Sequence, residues 1–175
     1  MIRIENFIQL KAFARQDAMI LALVWTISFA SIMLIGAGAL GNLLAIATPF
    51  VVGWRLIKFR NGALGGTIST RRAFAYCAYT FFYASLVFAI VQFAYFQFLD
   101  KGMFAEMISQ TITMVTPIYK QQGISQEQIN ESLNVVQMLT PIQWSFMFML
   151  QNMIIGTFLS LPIAIIGHRK ATKTM

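Results

Sequence analysis

Arg71-Arg72-Ala73-Phe74-Ala75-Tyr76-Cys77-Ala78-Tyr79-Thr80-Phe81-Phe82-Tyr83-Ala84-Ser85-Leu86-Val87-Phe88-Ala89-Ile90-Val91-Gln92-Phe93-Ala94-Tyr95-Phe96-Gln97-Phe98-Leu99-Asp100-Lys101 sets a long apolar run between two arginines and an Asp-Lys pair. Between Arg72 and Asp100 lie 27 uncharged residues. At a helical rise of about 1.5 Å they reach roughly 40 Å, against a hydrocarbon core of about 30 Å. The run is apolar on every side and lacks the single stripe of a soluble helix. It reads as a membrane-spanning helix over 73–99.

The rest of the chain agrees with a lipid solvent. Hydrophobic residues make up 58 % of the 175 and charged residues 11 %, with a mean hydropathy of +0.67. Soluble domains carry about a quarter charged residues. In lipid every backbone polar group must be satisfied internally, which leaves helices or a closed barrel. Long uniform apolar runs exclude the alternation of a barrel. The net charge of +7 does not indicate nucleic acid, because the basic residues flank apolar runs, where anionic headgroups attract them. Cys77 is the one cysteine, so no disulfide forms within the chain, and it reads as a small buried hydrophobe.

Outward toward the N-terminus, residues 18–54 carry no charge over 37 positions, too many for one span. Gly36-Ala37-Gly38-Ala39-Leu40-Gly41-Asn42 supplies a tight turn, so the segment divides into spans at about 18–35 and 41–57. Pro49 kinks the second, and Trp54 and Arg55 anchor its end. Residues 1–17 mix Arg3, Glu5, Lys11, Arg15 and Asp17 with apolar positions; they do not read as a removed signal peptide but as a short interfacial helix. The segment from Arg55 to Arg72 holds five of the thirteen basic residues and no acid. Its glycines predict a turn, Ser69 or Thr70 caps the next helix, and its spacing does not match a phosphate-binding loop.

Toward the C-terminus, residues 100–141 form the one sizeable polar connection. Met103, Phe104, Met107, Ile108, Thr111, Ile112 and Val115 recur at helical spacing, with an end signalled by Pro117 and Gly123. Ser125 and Gln128 form a capping box for a second helix, which presents Ile129, Leu133, Val136 and Leu139 on one face. Thr140 and Pro141 then open a fourth span over 142–166. The Met-rich helical hairpin packs on its own chain, lies on the membrane surface or docks a partner.

Charge assigns the sides. With four spans, the N-terminus, the 58–72 loop (Arg55 included) and the C-terminus share one face and carry eleven Lys and Arg; the other face holds Lys101 and Lys120 beside four acids. The positive-inside rule puts both termini in the cytoplasm and the hairpin outside. The fold class is an all-α integral membrane protein of four transmembrane helices, a single domain over 1–175.

Catalysis or ion coupling in a membrane leaves ionisable residues within the spans, and this reading finds none apart from Arg55 near an end. His168 stands alone as a metal ligand, so no catalytic residue, metal or cofactor is expected. The polar side chains Ser28, Ser31, Gln92, Gln151 and Asn152 fall in the outer half of the spans. They serve helix–helix hydrogen bonds, or in the alternative line a cavity for a lipid headgroup or small solute. Arg55, Lys58, Arg60, Arg71 and Arg72 are candidates for anionic headgroups or an acidic partner.

Gly65-Gly66-Thr67-Ile68-Ser69, followed by an aromatic span closing Tyr95-Phe96-Gln97-Phe98-Leu99-Asp100, resembles a family of bacterial four-helix membrane proteins, domain of unknown function 4199. Gly123-Ile124-Ser125-Gln126-Glu127-Gln128-Ile129 is similar to that family's outer helix start, and Gly156, Leu161 and Pro162 to Ile166 to its last span. Lys101-Gly102 departs from the expected pattern, which has proline after the aspartate. The resemblance implies a bacterial inner-membrane protein with no established catalytic residue, and a membrane glycosyltransferase as a partner. The expected function is a non-enzymatic accessory or interaction subunit with a stoichiometric membrane partner; the alternative is a small lipid or solute carrier, alone or as a homo-oligomer with lipid in the bundle.

Overall fold

The computed structural model describes residues 4–169, and these form an all-helical chain of six helices. They are α1 (Ile4–Met33), α2 (Gly38–Ala63), α3 (Thr70–Phe98), α4 (Met103–Gln121), α5 (Gln126–Met138) and α6 (Pro141–Gly167). Four of them, α1 (from Glu5), α2, α3 and α6, are long and apolar enough to cross a membrane. Of the described residues, those up to Ala89 and from Phe148 onward make one compact unit, and Ile90–Met147 makes a second.

In the first unit the helices are joined by close approaches. Gly41 lies so near α1 that a Cβ there would come within 2.3 Å of the Ile32 side chain and 2.8 Å of the Ser28 carbonyl oxygen. The Ser28 hydroxyl donates to the Gly41 carbonyl at 2.7 Å, and Trp25 Nε1 donates to Thr48 Oγ1 at 2.9 Å. On α6, a Cβ at Gly156 would meet the Phe81 side chain at 2.4 Å, and one at Gly167 would meet Leu56 at 2.4 Å. Glycine at these positions lets ridges of large side chains settle on bare backbone, which is how helices associate when lipid offers no hydrophobic contrast.

Two boundaries differ from the sequence reading. The first helix is continuous from Ile4, so residues 4–17 belong to the first long helix rather than to a separate interfacial one. No glycine or proline interrupts it, and Asp17, the charge that suggested a boundary, is neutralised within the bundle. Helix α2 continues past Ile57 to Ala63, carrying Lys58 and Arg60 on its last turns. Helix α4 runs through Pro117 and ends at Gln121, with Gly123 at φ +86° just past its cap, the end that Pro117 and Gly123 together signal. A proline this near the C-terminal end removes one backbone hydrogen bond, and the remaining turn retains its own.

In the second unit α4 packs against α5. Ser125 accepts from the Gln128 backbone N–H at 3.2 Å while Gln128 Oε1 accepts from the Ser125 N–H at 3.0 Å, the capping box expected from the sequence. The aromatic rings of Phe96, Phe104 and Trp144 gather at the base, with Phe104 and Trp144 centroids 5.0 Å apart and edge to face.

Candidate functional site

The first unit holds one buried charge cluster. Asp17 on α1, 2 % exposed, accepts the Arg55 Nε–H at 2.7 Å through Oδ1 and pairs with the Arg55 Nη2 as well. Its other oxygen accepts from the Tyr76 hydroxyl on α3. One carboxylate therefore ties three helices. Tyr76 is stacked on Phe59, with centroids 4.7 Å apart and planes within 7°. Arg55 also lies over the exposed ring of Trp54 at 5.2 Å. The cluster corrects the expectation that no ionisable residue apart from Arg55 enters the spans. The pairing was latent in the sequence: Asp17 and Arg55 bound the uncharged run 18–54, which folds back on itself at its glycine turn, and Asp17 is an acid among basic neighbours.

The same end of this unit collects the basic candidates. Lys58 and Arg71 are exposed. Arg60 Nη1 donates to the Gly167 carbonyl at 2.8 Å, tying α2 to the end of α6. Arg72 Nη2 donates to Gln9 Oε1 at 3.0 Å, its guanidinium lies 5.9 Å from the Phe59 ring, and its buried Nε has no hydrogen-bond partner. Lys11 sits over Phe7 and Tyr79, at 4.5 and 5.4 Å from their centroids. Among the five basic candidates, Arg55, Arg60 and Arg72 thus hold helices together, while Lys58 and Arg71 point their charges outward.

The polar candidates divide differently. Ser28 and Ser31 are buried on α1, and their hydroxyls donate to the carbonyls of Gly41 and Ile27 rather than to one another. Gln151 is exposed on α6 and Asn152 half-buried. Gln92, in the second unit, is 2 % exposed and its Oε1 accepts no hydrogen bond. Among the described residues no three His, Cys, Asp or Glu side chains gather as a metal site. A cleft of about 440 Å³ opens beside α4 and α5, lined by Ile112, Tyr119, Ile124, Gln128, Ile129 and Ser132.

The motifs singled out in the sequence build two joints. Gly65 and Gly66 adopt φ of +64° and +85°, a left-handed turn that a Cβ would strain. Ile68 then pairs antiparallel with Arg169, through N···O distances of 2.9 and 3.1 Å, and Ser69 Oγ accepts from the Arg72 N–H at the start of α3. At the second joint both Leu99 and Asp100 donate their N–H to the Tyr95 carbonyl. The Asp100 carboxylate accepts from the backbone N–H of Gly102 and Phe104, at 3.2 and 2.9 Å, and so caps α4. Lys101 and Gly102 have φ of +47° and +87°, values closed to proline.

A family model described as a protein of unknown function (DUF4199) matches residues 16–169. The chain belongs to the DUF4199 family. The match takes in Asp17, Arg55 and Tyr76 along with both joints of this DUF4199 protein. No curated protein matches the chain, and no solved structure does.

Proposed function

We propose that this DUF4199 protein is a non-enzymatic accessory subunit of the bacterial inner membrane, with both termini and the 58–72 segment cytoplasmic and the α4–α5 hairpin outside. The observation that carries the reading is the unneutralised charge at one end of the first unit. Lys58 and Arg71 are exposed there, and of the two acids of α1, Glu5 and Asp17, the second is buried against Arg55. Such a surface matches the anionic headgroups of a cytoplasmic leaflet or an acidic face of a membrane partner. A membrane glycosyltransferase is the partner class to which the family resemblance points.

Affinity purification from native membranes in mild detergent, followed by mass spectrometry, tests the subunit reading. A stoichiometric partner is expected, and its yield should fall in Lys58→Gln/Arg71→Gln. Purification of the chain alone would overturn it. Thiol labelling of intact cells at Asn61→Cys and Gln122→Cys tests the sidedness: only position 122 should react with an impermeant reagent. A second reading, a lipid or solute carrier, is favoured by the buried, unpartnered Oε1 of Gln92. Native mass spectrometry would then show a bound small molecule that is lost in Gln92→Leu.

A further inference from the structure

The α4–α5 hairpin leaves an apolar face uncovered. On α4, Met103, Met107, Met114 and Ile118 are all exposed, Met114 to 75 %. They recur at steps of four, seven and four residues, so they share one side of the helix. The stripe extends about 22 Å and contains no charge. Phe104, Ile108, Ile112 and Val115 face inward, buried or half-buried, and Glu106, Thr113 and Lys120 lie away from the stripe, exposed. The stripe is therefore distinct from the face that packs in the hairpin. On the return helix α5 the exposed apolar residues are Val135 and Met138, close to its C-terminal end.

The attachment of the hairpin says what covers this face. Four residues separate α3 from α4 and two separate α5 from α6, so both ends are tethered at the ends of candidate membrane spans. The joint is firm: Asp100 caps α4, and Phe104 in its first turn packs on Phe96 of α3 and Trp144 of α6. Exposed apolar residues flank that joint. Phe98 and Leu99 at the end of α3 and Ile142 at the start of α6 are exposed to 72, 55 and 65 %, and the α4 stripe begins at Met103. Flexible, unbranched methionines suit a surface of irregular acyl chains. A helix with one uncharged apolar face and polar flanks, anchored at the membrane boundary, has the construction of an interfacial helix.

We infer that α4 lies in the membrane–water interface with Met103, Met107, Met114 and Ile118 inserted among lipid acyl chains. The inference rests on α3 and α6 crossing the bilayer, as in the reading above. Insertion of this stripe would hold the hairpin against the bilayer and turn Glu106, Thr113 and Lys120 toward water.

The test places nitroxide spin labels on single cysteines at positions 107, 114, 113 and 120 of the full chain, with Ile90→Cys as reference, in nanodiscs of zwitterionic lipid. Cys77, fully buried, stays in place. Accessibility to oxygen and to a water-soluble nickel chelate is then measured. At Met107→Cys and Met114→Cys oxygen should exceed nickel, with depths about 5–10 Å below the headgroup boundary. At Thr113→Cys and Lys120→Cys the order should reverse. Nickel access at all four positions, with the label at 90 lipid-protected, overturns the inference while leaving the spans intact. Shielding of 107 and 114 from both reagents also overturns it, indicating a protein partner or a second copy. Nickel access at position 90 removes the membrane reading itself and the inference with it.

Discussion

Asp17 Oδ1 accepts the Arg55 Nε–H at 2.7 Å, between two residues 38 positions apart on consecutive helices. Tyr76 occupies the other carboxylate oxygen, so the charge on Asp17 is countered from α2 and hydrogen-bonded from α3. Removing one partner of a buried ion pair strands the other, at a cost of about 3–5 kcal/mol, whereas replacing both with apolar residues is often close to neutral. Arg55→Leu should therefore destabilise the protein strongly, and Arg55→Leu/Asp17→Leu much less than the sum of the single changes. Cys77, completely buried, offers the readout: its reaction with a thiol dye during heating in detergent reports unfolding. Equal and additive losses would show that the pair acts only through separate contacts.

Gly41 and Gly38 occupy the same stretch of α2 and should respond oppositely to alanine. At Gly41 a Cβ meets the Ser28 carbonyl at 2.8 Å, and that backbone atom moves only with its helix. Gly41→Ala should lower the thermal midpoint, by an overpacking cost of about 1–3 kcal/mol. At Gly38 nothing lies within 4 Å, so Gly38→Ala should be neutral or slightly stabilising through helix propensity. The same thiol assay compares them.

Phe81 and Gly156 form a second such contact, with side-chain rather than backbone atoms on the opposing side. Gly156→Ala should destabilise, and Phe81→Ala in the same chain should recover part of the loss, because it removes the Cγ and Cδ1 atoms that would lie 2.4 and 2.6 Å from the new Cβ. A double-mutant cycle on thermal midpoints checks this. Independent effects would mean that the two helices do not approach as described.

Asp100 accepts the Gly102 and Phe104 N–H groups, and its loss should loosen α4 without unfolding the spans. Asp100→Ala is expected to cost about 1 kcal/mol locally. Hydrogen exchange in the first turn of α4 should accelerate while that in the middle of α3 stays unchanged. Uniform acceleration would indicate a wider structural role for this residue.

Gln92 tests the carrier reading through stability. Its buried Oε1 lacks a partner, so Gln92→Leu should be neutral or stabilising by about 1–2 kcal/mol in pure detergent. Stabilisation of the wild type by added lipid extract, absent in Gln92→Leu, would instead identify a ligand held by this amide.

The number of apolar helices, the glycine turn between α1 and α2, the hairpin of α4 and α5, and the capping box at Ser125 were all legible in the order of residues. Each depends on a local quantity: the length of an uncharged run, a helical period, or a side chain reaching its own backbone three residues on. Tertiary structure alone decided that Asp17 enters the bundle, that Arg55, Arg60 and Arg72 turn inward while Lys58 and Arg71 do not, and that Gly41, Gly156 and Gly167 are points of close approach. The physical reason lies in the composition of the helices. A span apolar on every side carries no stripe to reveal its rotation, so which face meets a neighbour is settled by packing between helices and by the partner a buried charge finds there.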